Sequence, residues 1–432
     1  MKNKNSIWQK IISLPQAPAF SGGLMVLCVF IAMLWANSPW REYYFALLAL
    51  PVGITIGNYE ISHSVLMVIN DALMVFFFFL VGLEIKREIL VGHLRELKLA
   101  LFPVLAAVGG VVAPALIYSA FPHSAFTAAG WAIPTATDIA FSLAVLSLLG
   151  NRVPVALKVF LATLAIADDI IGIIIIGVLY TSGLNLVAFG MALVILSLMY
   201  LLNKSGVRST FVYTLLAFGV WVAVAKSGIH PTIAGVLAAM TIPVRPKVEF
   251  ADYLTKAERA YERLQSVDGK CVRTLVDDEA RATVESLGRL SGAALTPLTK
   301  MEMGLHSFVN YLVLPIFAFA NAGIALSWET QFFSPVSLGV FAGLFIGKPV
   351  GIYCMARLTT WAKIASRPPE VTWTQIGGAG MVAGIGFTIA IFMTTLVFGS
   401  SNHADSAKIG IVAGSIISGL VGLVVIKYTL KK

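Results

Sequence analysis

Apolar windows of about 20 residues recur twelve times along this chain, near 20–36, 64–83, 99–120, 130–149, 153–180, 185–202, 211–225, 228–244, 304–326, 336–356, 377–398 and 408–427. That is the length an α-helix needs to cross the hydrocarbon core of a bilayer. A soluble domain carries about 25% charged residues, whereas this chain carries 12%, with 58% apolar. The expected fold class is therefore an all-α polytopic membrane protein with twelve transmembrane helices.

The placement of basic residues sets the orientation. With twelve spans and both termini on one side, 26 of the 31 Lys and Arg residues fall in loops or tails on that side. Only Arg41, Lys226 and Lys408 fall on the other, and Lys158 and Lys348 lie within spans. This positive-inside pattern puts both termini in the cytoplasm. It also accounts for the net charge of +9 without nucleic acid. The N-terminal stretch is read as an uncleaved first helix after a short interfacial segment, since losing the first span would break the charge alternation. Cys28 and Cys354 lie in spans and Cys271 in a cytoplasmic loop, so no disulfide framework is expected. The chain then divides into a cytoplasmic segment 1–19, spans one to eight over 20–244, a charged cytoplasmic loop 245–300, and spans nine to twelve with the cytoplasmic C-terminus over 301–432.

Two extramembrane features stand out. PVGITIGNYEIS (Pro51–Ser62) alternates residue types around Gly57-Asn58, a pair suited to a tight turn. It predicts a small external β-hairpin that could pair with a second copy. Arg245–Lys300 holds ten basic and nine acidic residues, and YLTKAERAYERL and VDDEARATVESLGRL within it predict short solvated helices.

Two spans look interrupted. In GWAIPTATDIAF (Gly130–Phe141), Pro134 removes a backbone donor and clashes with the preceding turn. GGAGMVAGIGFTIAIF (Gly377–Phe392) has five glycines in its first ten residues, which weakens a helix locally. Paired discontinuous helices point to a transporter binding site.

Against this apolar background, LAIADDIIGIIII (Leu164–Ile176) places Asp168 and Asp169 side by side. A charge at the bilayer centre costs roughly 2.5–3.5 kcal/mol even on lenient insertion scales. Asp168, Asp169, Asp138 and Lys348 all lie within about three residues of a span midpoint, a slab only several ångströms thick. Three carboxylates against one ammonium exceed what an ion pair between helices needs. Adjacent residues diverge by about 100° on a helix, so one aspartate can meet Lys348 while the other lines a wet cavity. Carboxylates, hydroxyls and unwound carbonyls are hard ligands for hard cations. Burial favours the protonated acid, so such a carboxylate holds either a proton or a small cation. That competition is the minimum machinery of cation/proton antiport. Asp138 is placed to offset N-terminal helix poles at the breaks, and Lys348 to offset C-terminal ones.

These residues resemble the NhaA-type bacterial sodium/proton antiporters. The likeness rests on INDALM (69–74), VGLEIKRE (81–88), GWAIP–ATDIAF (130–141), LAIADD (164–169), KSGIH–T-AGV (226–236), LPIFAFANAG (314–323), IGKP-GI (346–352) and GIGFT (384–388). It runs from about Ser21 to the last helix, apart from the Arg245–Lys300 insert. The resemblance implies an inverted-repeat core and an inner-membrane secondary transporter, not an enzyme, that expels Na⁺ or Li⁺ against H⁺. It implies no cofactor and a homodimer joined by the external hairpin. It makes Asp169 the main cation ligand, helped by Asp168, which pairs with Lys348, and sets Asp138 and Thr137 at the helix crossing. It also assigns pH sensing to Glu84, Arg87, Glu88 and Glu302, with His230 tied to pH response. From the residues alone, the first four read as solvated interfacial charges, and His230 reads equally as a helix-end hydrogen-bonder. Asp71 reads as a buried polar partner. Three alternatives stay open at this stage: a sodium-coupled symporter of related fold, a retinal-type pump on Lys348, and an intramembrane aspartyl protease. The protease would need Asp138 with Asp169, because Asp168 and Asp169 diverge on one helix and no GxGD pattern precedes either.

Overall fold

The computed structural model describes residues 18–56, 59–121, 124–179, 181, 183–266, 278–325, 332–399 and 401–430. The chain opens with α1 (Pro18–Ala36) and α2 (Arg41–Ala49), which meet at 113° across a short break holding Pro39. Proline restricts the residue before it and ends helices there. The predicted hairpin follows as β1 (Pro51–Ile56) and β2 (Tyr59–Ser64), antiparallel in a register from Pro51↔Ser64 to Ile56↔Tyr59. It therefore runs two residues past the expected Ser62. Its turn, Gly57-Asn58, lies outside the described residues.

The remaining helices are α3 (Val65–Leu90), α4 (Leu97–Ser119), α5 (Ala125–Ala128, continuing as a 3₁₀ helix over Ala129–Thr135), α6 (Ile139–Ser147), α7 (Val155–Leu179), α8 (Leu186–Lys204), α9 (Thr210–Ser227) and α10 (Pro231–Thr241). Then come α11 (Phe250–Ser266), α12 (Asp278–Ala294), α13 (Pro297–Ala322), α14 (Pro335–Trp361), α15 (Trp373–Ala383), α16 (Phe387–Phe398) and α17 (Asn402–Thr429). Among the described residues, nine helices are long and apolar enough to span a membrane, or up to eleven if each of two bent pairs is one span. The window expected at 228–244 forms only the 11-residue α10, about 16 Å long.

Between apolar helices in lipid there is no hydrophobic driving force, so close backbone approach has to supply the packing. Two glycine seams provide it. Along α4 and α14, a Cβ added at Gly347 would lie 2.7 Å from Pro114 Cα, and one at Gly351 2.7 Å from Ala113 Cβ. Along α3 and α10, a Cβ at Gly235 would lie 2.7 Å from the Val75 carbonyl oxygen. The first seam carries Lys348; the second carries the charged end of α3.

The charged insert folds as expected into two helices, α11 and α12, packed on one another, with Tyr253 Oη 3.2 Å from Ser291 Oγ. The Lys247 and Val248 N–H groups both donate to the Ala293 carbonyl (3.1 and 3.2 Å), and the Leu298 N–H donates to Pro243 (3.2 Å). The insert's base is thereby tied to the ends of α10 and α13. Cys271 lies outside the described residues, as do residues 1–17, which contain most of the expected interfacial segment.

Candidate functional site

Both expected interruptions exist, and they cross. The first leaves Ala136–Asp138 unwound between the 3₁₀ end of α5 and α6; the second leaves Gly384–Gly386 unwound between α15 and α16, which bend by 45°. Unwound backbone at membrane depth needs internal partners, and the two breaks, with α17, supply them. The Asp138 N–H donates to the Ile385 carbonyl at 2.7 Å. Ser142 Oγ donates to the Val382 carbonyl at 3.1 Å. The Gly386 and Phe387 N–H groups, 3.3 Å from Ser415 Oγ, donate to it.

Asp138 serves two helix N-termini at once. Its Oδ1 accepts from the Phe141 N–H (3.0 Å) at the start of α6. Its Oδ2 accepts from the Thr388 N–H (3.1 Å) and the Thr388 hydroxyl at the start of α16. A carboxylate suits this place because both N-termini carry partial positive charge. The expectation that Lys348 offsets the C-terminal poles is corrected here. Its ammonium donates to Asp168 instead, and the carbonyls ending α15, Val382 and Ala383, are met by the hydroxyls of Ser142 and Thr137. Short hydroxyl side chains reach these carbonyls from the neighbouring break, so no cation is needed there.

Asp168 and Lys348 form a completely buried ion pair, with neither side chain exposed to solvent. Thr137 Oγ1 lies 2.6 Å from Asp168 Oδ2 and 2.9 Å from the Ala383 carbonyl. With one hydrogen, it donates to only one of them at a time. Asp168 Oδ1 and Asp169 Oδ2 are buried with no hydrogen-bond partner. Unmet buried acceptors are costly, and these two belong to consecutive residues at the crossing.

Asp169 and Asp138 line a cavity of about 470 Å³ that reaches the charged end of α3. At its mouth Arg87 bridges Glu302 and Glu88, the latter at 3.3 Å, and Glu88 Oε2 accepts the His93 N–H at 3.0 Å. Glu84 lines the same cavity, as do Lys158, His306 and Tyr311. Glu302 is 93% buried, since 7% of its surface is exposed, so its pairing with Arg87 is partly desolvated and stronger than a rim contact. Next to this cluster, Lys86 donates to the Met240 and Ile242 carbonyls (2.6 Å each), clamping the end of α10.

Thus Thr137, Asp138, Asp168, Asp169 and Lys348 come together at the crossing, and Glu84, Arg87, Glu88 and Glu302 at the mouth. His230 joins neither group. It caps the far end of α10, taking the Thr232 N–H at 3.4 Å and lying edge-on to Phe392 at 5.6 Å. Asp71, read as a buried polar partner, is only partly buried; the polar pair in this stretch is made by its neighbour Asn70, which exchanges hydrogen bonds with Asn321 (2.8 and 3.3 Å). Sequence reading missed Thr388, Ser142 and Ser415 as partners of the breaks. Thr388 had a signal, standing in GIGFT just after the glycines. Among the described residues no three His, Cys, Asp or Glu side chains converge as metal ligands.

The model for the family described as Na⁺/H⁺ antiporter 1 matches residues 13–426. The Na(+)/H(+) antiporter NhaA of Wolinella succinogenes is 44% identical over 413 residues, covering 95% of this chain and 91% of that protein. The protein of the same name from Koribacter versatilis is 42% identical over 410 residues, covering 94% and 89%. That of Salmonella arizonae is 43% identical over 412 residues, covering 93% and 94%.

Proposed function

The chain belongs to the Na⁺/H⁺ antiporter 1 family, and from that premise we propose that it is a multi-pass inner-membrane antiporter exchanging Na⁺ or Li⁺ for H⁺ at Asp169. The observation that carries this reading is the contrast between two adjacent carboxylates. Asp168 is held by Lys348 and Thr137, whereas Asp169 lines the cavity with a buried, unpartnered oxygen. A carboxylate without a fixed partner takes whichever cation reaches it, proton or sodium.

In this reading twelve spans form an inverted-repeat core with both termini in the cytoplasm, and the cavity opens to that side. Na⁺ entering it displaces the proton of Asp169 and recruits Asp168. Recruitment breaks the Asp168–Lys348 pair, and Thr137 turns its hydroxyl to the Ala383 carbonyl. An ammonium without its carboxylate in a low-dielectric site gives up its proton. Two protons then leave for one sodium ion, and exchange is electrogenic. The crossing next rocks to face the opposite side, and protons return the site to its paired state. The cluster of Glu84, Arg87, Glu88 and Glu302 gates the mouth in response to pH. His230 acts in that response only through the α10 cap. The β1–β2 hairpin joins two copies in a dimer.

Collapse of a pH gradient in everted membrane vesicles on adding Na⁺, Li⁺ or K⁺ tests the exchange. Collapse with Na⁺ and Li⁺, absent in Asp169→Asn, is expected; full activity in that variant would refute the site. In proteoliposomes, exchange that ignores the membrane potential would refute the unequal stoichiometry.

A further inference from the structure

Away from the crossing, the start of α15 carries a cluster that the transport cycle does not use. Arg357 and Arg367 both place their guanidinium carbons against the indole of Trp373, at 4.1 and 5.5 Å from the ring centroid. Arg357 also lies 5.5 Å from the centre of the Tyr353 ring and donates to its hydroxyl from Nε and Nη2 (3.2 and 3.0 Å). Tyr353 in turn meets Trp373 edge to face at 5.9 Å. Among the described residues neither arginine is within ion-pair distance of a carboxylate.

A guanidinium held over an aromatic face keeps N–H donors at its rim; Arg357 spends Nε and Nη2 on the Tyr353 hydroxyl and retains Nη1. Two such edges held on one ring, with no acidic partner, suit an oxyanion that accepts hydrogen bonds from several directions, and phosphate is the best geometric match. The surroundings choose the source of that phosphate. Trp361, at the end of α14 and one turn after Arg357, is 80% exposed, and Leu358 beside it is 52% exposed. Tryptophan at the end of an apolar helix marks the membrane–water interface. The cluster therefore sits at headgroup level, with apolar side chains placed to meet acyl chains.

We propose that Arg357 and Arg367, held on Trp373, bind the phosphate of an anionic phospholipid at the start of α15. The opposite end of α15 carries the Ala383 carbonyl that meets Thr137, so a lipid bound here grips the half-helix that builds the ion site. This assignment rests on the membrane reading of the chain but not on the ion assignments.

The test is native mass spectrometry of the delipidated full-length protein, titrated with phosphatidylglycerol or phosphatidylcholine. Wild type is expected to retain phosphatidylglycerol about tenfold better than phosphatidylcholine, and R357Q/R367Q to lose that preference. Arg259→Gln, on the exposed insert, serves as the charge control and keeps the preference. Excess inorganic phosphate should leave the bound lipid in place. Equal phosphatidylglycerol retention in wild type and R357Q/R367Q would overturn the proposal, as would loss of the preference in Arg259→Gln or displacement by inorganic phosphate. Should the double variant fail to fold, Trp373→Leu keeps both charges and removes the platform; an unchanged preference there would overturn the proposal equally. Loss of lipid preference with Na⁺-driven gradient collapse intact separates this site from the ion site.

Discussion

Asp168 and Asp169 are consecutive in α7, yet one is locked in a buried pair with Lys348 and the other lines the cavity with a carboxylate oxygen that no donor meets. The 100° step of the helix separates them. One side of α7 faces the α4–α14 seam, and the next residue faces the entry path.

Asp169→Asn should abolish Na⁺-dependent proton release while the protein stays folded, because amide replaces carboxylate without changing shape. Vesicle pH-gradient collapse measures it, with thermal unfolding as the control. Retained sodium-dependent collapse would remove Asp169 as the cation ligand.

Lys348→Ala should destabilise the protein by about 3–5 kcal/mol, because it strands Asp168 as an uncompensated buried charge. Adding Asp168→Asn should recover much of that loss. Unfolding in detergent across the double-mutant cycle reads the coupling, and strictly additive losses would contradict a direct pair.

Thr388→Val keeps the backbone donor to Asp138 and deletes the hydroxyl. A loss of about 1–3 kcal/mol is expected from the unmet carboxylate oxygen, with Thr388→Ser restoring most of it. A neutral valine variant would mean that this hydroxyl does not hold the crossing together.

Lys86→Met should cost about 2–3 kcal/mol by leaving the Met240 and Ile242 carbonyls without their charged donor. Hydrogen exchange should speed up at the end of α10 and not at the crossing. Uniform loosening of both regions would argue against a local clamp.

Replacing residues 51–64 with a short flexible linker should convert the proposed dimer to a monomer with the ion site intact. Sedimentation in detergent reports the mass, and a variant that still sediments as a dimer would place the interface elsewhere.

Much of the site was legible in the chain because each signal was local. Pro134 and the glycines of 377–386 weaken a helix locally, so both breaks could be proposed before any packing was known, although Pro103 and Pro114 sit inside the continuous α4. Counting along the spans put Asp138, Asp168, Asp169 and Lys348 near one level, and the structure buries all four. Thr388 and Ser415 gave less away. A hydroxyl in an apolar helix usually turns back to its own backbone, as Thr394 does to the Ala390 carbonyl. Only the approach of a second unwound segment gives it another task. The insert helices were readable from their solvated pattern, but not the backbone hydrogen bonds that tie their base to α13 and so to Glu302.

The sequence by itself determined that apolar helices of membrane-spanning length form, that two spans break, and that charges are buried among them. Those outcomes depend on hydropathy, backbone propensity and spacing along a single segment. The Asp168–Lys348 pair was implied by the family resemblance, and the place of Asp138 at the helix N-termini by the breaks. The tertiary structure alone decided which atoms meet, with Asp138 shared between Phe141 and Thr388 and the hydroxyls of Ser142 and Thr137 on the Val382 and Ala383 carbonyls. These depend on helix rotation and ångström-scale approach. Backbone contact at Gly347 and Gly351 sets both on the Lys348 side, and no single segment encodes its partner's position.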